Sequence, residues 1–144
     1  MRVRVLRLRQ GASLPLYSTP GSAGADLSAC LEEPLTIPPG GIATIPTGLA
    51  IEIPSGHAGA ICSRSGLASK HGIVVLNSPG IIDSDFRGEC MIILMNHSVD
   101  LFRLEHGSRV AQLVVFAYFK LDFFTSQGLS SSARGDKGLG SSGI

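Results

Sequence analysis

A chain of 144 residues, 44% of them hydrophobic, is the size of one domain and apolar enough to bury a core. A formal net charge of +1 excludes the strongly basic balance that counterion release from a nucleic-acid backbone demands, and leaves room for a small anionic ligand. Cys30, Cys62 and Cys90 are odd in number and far apart, and His57, His71, His97 and His106 show no paired spacing, so neither a disulfide framework nor a zinc site is expected.

The N-terminal RVRVLRLR alternates arginine with aliphatic residues, unlike the continuous apolar run of a signal peptide. No stretch approaches the roughly 18 consecutive apolar residues of a membrane span, so a soluble cytoplasmic chain with no membrane partner is expected. Ala25-Leu27-Ala29-Leu31 repeats with a period of two, which predicts a strand with one apolar face and sets the Asp26 carboxylate on the other. There it can hold a hydrated Mg²⁺, a hard cation that keeps several waters, or simply be a solvated strand residue.

Pro38-Pro39-Gly40-Gly41 reads as a turn, Leu49-Ile51-Ile53 as a further strand and Pro54-Ser55-Gly56 as another turn. Ser63-Arg64-Ser65-Gly66 then enters the one segment with the length and composition of a short helix, Ser65 to His71, whose first amides Ser63 or Ser65 can cap. Free amides, a hydroxyl and a guanidinium fork match phosphate oxygens, although the same run would also serve as an ordinary N-cap beside a surface arginine.

In Asn77 to Glu89, Pro79 removes a ladder donor and Gly80 permits close backbone approach, so the strand is expected to open around a ligand rather than pair fully. Unpaired backbone there can read a base edge, Asp83 can act as a general base, and Asp85 fits a turn; a plain β-turn accounts for the same composition. Met91 to Met95 is a further strand. From Gly128 the chain becomes GLSSSARGDKGLGSSGI, with too little apolar surface to offset its ordering entropy, and a mobile tail is expected. Its Arg134 to Gly143 run has the composition of a phosphate-cradling loop without the spacing of a P-loop, and a closing lid suits it better. The whole pattern is all-β and suits a compact barrel or a double-sheet jelly roll with one short helix over residues 1–127, followed by a lid over 128–144.

Taken in order, AGADL, SRSGLA, NSPGIIDSDFRGE, RVAQLVV and RGDKGLGSSG resemble the five sequence blocks of the trimeric dUTPase family, covering Ala23 to Gly143. The resemblance implies a jelly-roll-like β-barrel that assembles as a homotrimer whose active sites each draw on all three chains, and hydrolysis of dUTP to dUMP and pyrophosphate, which lowers dUTP and supplies dUMP for thymidylate synthesis. It implies that Asp26 holds Mg²⁺ through water and that Arg64, Ser65, Gly66 and Gln112 contact the phosphates. Asn77, Gly80 and Ile82 match the uracil-reading hairpin, Asp83 the base that deprotonates water for in-line attack on the α-phosphorus, and Arg134 the tail arginine on the γ-phosphate.

Two positions depart from the family pattern. Phe86 stands where many relatives carry Tyr; the wall that excludes a ribose 2′-hydroxyl is kept and the phenol's hydrogen bond is lost. Leu139 stands where many members stack Phe on uracil, an interaction of about 1–3 kcal/mol, so base capture by the tail should be weaker. The related dCTP deaminases carry a catalytic Glu where alignment on Asp83 and Phe86 puts Ile93, which leaves deamination without its catalyst. A non-catalytic nucleotide sensor on the same fold is the alternative from another class: Leu139 favours it, and the retained Asp26, Ser65, Asp83, Gln112 and Arg134 oppose it.

Overall fold

The computed structural model describes residues 1–138. Its strands are β1 (Arg4–Arg7), β2 (Leu16–Tyr17), β3 (Ala25–Ser28), β4 (Leu35–Ile37), β5 (Ile42–Pro46), β6 (Leu49–Glu52), β7 (His57–Cys62), β8 (Ile73–Val75), β9 (Gly80–Ile82), β10 (Met91–Asn96), β11 (Phe102–Leu104) and β12 (Arg109–Ala117), with one helix, α1 (Ser65–His71), between β7 and β8. The largest sheet runs β2-β3-β12-β7-β9, a second runs β5-β10-β8, and β1-β6 and β11-β4 are pairs; buried side chains from all four meet in one core. Every ladder is antiparallel. This is the jelly-roll-like arrangement that the short alternating segments predict.

Alternation decides which side of each strand is dry. Ala25 and Leu27 are buried while Asp26 and Ser28 are half-buried on the opposite face. Leu27, Ile45, Leu49, Ile92, Leu94 and Ala111 have no exposed surface and meet in one core. In β6, Ala50 is buried as well as Leu49 and Ile51, so successive residues on both faces of this strand are dry.

Two polar side chains lie fully inside this core, and both are satisfied. Asn96 donates from Nδ2 to Ile37 O (2.9 Å) and Asp100 O (2.8 Å), and its Oδ1 accepts from Ser98 N–H (2.9 Å) and Ser98 Oγ (2.8 Å). Thr47 donates to Cys90 O at 2.7 Å. Left unpaired, each group would cost about 1–3 kcal/mol, so these bonds fix which loops may sit against the core. Helix α1 ends at Gly72, in the left-handed region at φ 63°, where an added Cβ would also lie 2.8 Å from Ser98 N. The three cysteines are free, and burial pushes the Cys90 thiol up to about 11, which keeps it protonated at neutral pH.

The N-terminal segment is tied to the barrel by Arg9, which donates from Nε and Nη2 to the two oxygens of Glu89 (3.0 and 3.1 Å), while Gly48 N–H donates to Glu89 Oε1 at 2.8 Å. The hydrogen bond from Arg9 holds the Glu89 carboxyl below the ordinary value of 4.5, against the opposing effect of burial. A lowered folded pKa contributes stability that is complete above the unfolded value and is lost as pH falls through the folded one. Glu89→Gln is therefore expected to lower Tm at neutral pH by about 2–5 °C. It should also flatten the fall of Tm below pH 4.5, and an unchanged acid slope in thermal melts would remove Glu89 from that role.

Candidate active site

The large sheet sets one row of residues side by side: Asp26 on β3 is paired with Gln112 on β12, and Gln112 with Cys62 on β7. Because Ala25, Leu27, Ala111 and Leu113 fill the core, Asp26 and Gln112 point to the outer face. Chain leaving β7 passes directly over this row into α1, which brings Ser63 and Arg64 onto it. Arg64 donates from Nε to Asp26 Oδ1 at 2.9 Å and from Nη1 to Arg109 O at 3.0 Å. Arg109 donates from Nη1 to Asp26 Oδ2 at 3.0 Å, and Ser18 Oγ to the same oxygen at 3.3 Å. Gln112 Nε2 donates to Ser63 O at 3.0 Å. Two guanidinium groups around one carboxylate leave a net positive charge, suited to a polyanion.

Arg109 is the residue that sequence reasoning missed. It lies three positions before Gln112, so a regular strand would put the two side chains on opposite faces. A bulge between Arg109 and Ala111 shifts the register and turns Arg109 toward Asp26 with Gln112. The nearest signal in the sequence was the RVAQ run itself, which does not announce the bulge.

Helix α1 begins at Ser65, as expected, but Ser63 and Ser65 do not cap it: the N-cap residue is Arg64, with no side-chain cap. Ser63 Oγ instead accepts from Val75 N–H at 2.9 Å, a partner far along the chain that locks the loop to β8. Ser65 and Gly66 are exposed, the first turn holds no acidic residue, and the space around Gly66 is open.

Asn77, Gly80, Ile82, Asp83 and Phe86 line a single cavity of about 300 Å³, with Ile93 in its wall. Contrary to the expected opening, β9 is fully laddered on one side, pairing Gly80, Ile81 and Ile82 with Ile61, Ala60 and Gly59. It is the last strand of its sheet, so the free backbone lies on its outer edge. The bond between Ser78 and Pro79 is cis. Asp83 opens a turn closed by Phe86 N–H donating to Asp83 O at 3.2 Å, and Asp85 sits inside that turn. Asp83 is exposed and takes no part in the ion pairs formed among the described residues.

The cavity and the charged row both adjoin the end of β7, from which Ser63 N–H donates to Ser78 Oγ at 3.4 Å. Arg134 joins neither group. Its guanidinium donates to Lys137 O (3.1 Å) and Gly138 O (3.4 Å) within its own turn. Leu139 lies outside the described residues.

No group of three or more His, Cys, Asp or Glu is placed to hold a metal among the described residues. The lone carboxylate of the row, Asp26, is already met by two arginines, so it does not fit a directly caged ion and leaves contact through water as the way it could hold a hydrated Mg²⁺.

The family model for dUTPase matches residues 10–143. A deoxyuridine 5'-triphosphate nucleotidohydrolase of Treponema denticola is 49% identical over 138 residues, covering 96% of this chain and 96% of that protein. One from Sinorhizobium medicae is 47% identical over 137 residues, covering 94% and 86%. Among solved structures, a Staphylococcus bacteriophage 80alpha dUTPase with dUPNHPP superposes with a TM-score of 0.90 at 28% identity, covering 99% of both chains. With a family model spanning nearly its whole length and relatives this similar, the chain belongs to the dUTPase family.

Proposed function

We propose that this chain hydrolyses dUTP to dUMP and pyrophosphate in the cytoplasm, by in-line attack of water on the α-phosphorus, and so lowers dUTP while supplying dUMP for thymidylate synthesis. The observation that carries the reading is the convergence of Asn77, Gly80, Ile82, Asp83 and Phe86 on one cavity, off the same strand end that carries the positive Asp26-Arg64-Arg109 row. Uracil and cytosine differ by an exchanged donor and acceptor. The fixed backbone edge of β9 leaves groups unpaired with the wrong base, at about 1–3 kcal/mol each. Phe86 walls the deoxyribose against a 2′-hydroxyl.

Displacement at phosphorus needs positioning and charge neutralisation more than covalent chemistry from the protein. Arg64, with Ser65, Gly66 and Gln112, holds the phosphate chain; Arg134 closes on its γ end when 128–144 folds over as a lid; Asp83 orients a water and takes its proton. Asp26 would hold Mg²⁺ through water, and the ion would supply further neutralisation of the phosphate oxygens.

The reading includes a homotrimer with shared sites. Leu6, Leu16 and Tyr17 are exposed on one chain, and Phe119, Phe123 and Phe124 are 94%, 87% and 85% exposed in a segment that follows β12 and belongs to no strand or helix, an apolar display that a second and third copy would cover. Measuring the products of dUTP and dCTP tests the chemistry. Pyrophosphate from dUTP is expected. Ammonia from dCTP would select deamination, against which stands the apolar Ile93 in the cavity wall, and neither product would select a non-catalytic sensor.

A further inference from the structure

Gly24 immediately precedes β3 and lies two positions before Asp26. It is not among the glycines with positive φ, so its backbone conformation alone would accept alanine. Space would not. An added Cβ would collide with Gln112 Oε1 and stand 3.0 Å from Gln112 Cδ and 3.2 Å from Gln112 Cβ. The side chain of Gln112 therefore occupies the space that the missing Cβ of Gly24 leaves, and from that seat its Nε2 reaches Ser63 O, the carbonyl that precedes Arg64. What a Cβ would strike first is the end of a flexible side chain rather than backbone, so a substitution would chiefly displace the amide, while the contact with Gln112 Cβ asks the strands to give by only a few tenths of an ångström.

The device recurs at the cavity. A Cβ on Gly88 would lie 2.7 Å from Phe86 Cζ, and one on Gly80 would lie 3.0 Å from Asn77 Nδ2, again without positive φ at either glycine. Three side chains assigned to the substrate thus each rest on a glycine whose missing methyl makes the resting place.

We infer that Gly24 is a positioning residue for the hydrolysis: it seats Gln112 so that the amide braces Ser63 O and holds the Arg64-Ser65-Gly66 run beside Asp26. The inference rests on the reading of Gln112 as part of the phosphate side of the site. A purely structural glycine would lower stability alike whether or not Gln112 is present; a seat acts only through the side chain that occupies it.

Gly24→Ala, Gln112→Ala and the double variant separate these cases. Gly24→Ala is expected to reduce kcat/KM by about three- to tenfold, the size of one neutral hydrogen bond, and by less than about twofold when added to Gln112→Ala. In ¹H–¹⁵N spectra the Gln112 side-chain amide pair, identified by its loss in Gln112→Ala, is expected to move in Gly24→Ala. An equal drop in both backgrounds, or an unmoved amide pair, overturns the seat. Should Gly24→Ala fail to fold, recovery of folding in the double variant supports the collision with Gln112, and failure of both overturns it. Parent-like activity of Gln112→Ala would sink the phosphate-side reading of Gln112, and with it any role of Gly24 in hydrolysis, while the amide spectrum would still report on the seat.

Discussion

Asp83→Asn is expected to lower kcat by about 10²–10⁴-fold while a non-hydrolysable dUTP analogue binds within a few-fold of the parent affinity. The substitution is nearly isosteric and removes only the capacity to take a proton from water. Nothing in the fold depends on the charge: Asp83 is exposed, and its turn is held by backbone groups, with Phe86 N–H donating to Asp83 O and Arg87 Nη1 donating to Ser84 O and Phe86 O, each at 2.8 Å. Tm should therefore be unchanged. Steady-state kinetics and a titration with the analogue check this, and an equal loss of binding and rate would assign Asp83 to holding the substrate instead of activating water.

Local pattern was enough to place much of this site. The period of two at Ala25-Leu27 put Asp26 on the outer face, and the composition of Ser65 to His71 gave α1 its observed bounds. What escaped were features set by partners distant in sequence. Ser63 has the chemistry of a cap, yet its hydroxyl is taken by Val75 N–H. Pro79 and Gly80 suggest a strand that opens, yet β7 supplies a full ladder on one side and leaves only the outer edge of β9 free. Parity hides Arg109, because the bulge that turns it toward Asp26 depends on the register between β12 and β3. Asn96, an ordinary polar residue by sequence, is a fully buried node between the end of β4 and the loop from Ser98 to Asp100. In each case the sequence states which groups can bond, and tertiary pairing decides which do.

Mixing two inactive variants is expected to restore activity. In a single chain Arg134 is folded onto its own turn, apart from the cavity of Asp83 and from the Asp26-Arg64-Arg109 row, and all described residues from Tyr118 onward are exposed. An arm with Phe119, Phe123 and Phe124 in solvent has more to gain by crossing to a neighbouring copy than by leaving them exposed. If it crosses, the base and the tail clamp of one site come from different chains. Asp83→Asn and Arg134→Ala trimers should then each be nearly inactive when pure, since every site lacks one of the two groups. Co-refolded in equal amounts, a site is complete when the chain giving the base is the Arg134 variant and the chain giving the tail is the Asp83 variant. Random assembly meets both conditions at roughly a quarter of sites. If one chain supplied both groups, every site would inherit a defect, and no mixture could exceed the average of its pure components. Activity near a quarter of the parent's, in samples whose mixed trimers are confirmed by mass, therefore supports a site shared between chains, and activity at the average of the two pure variants rejects it.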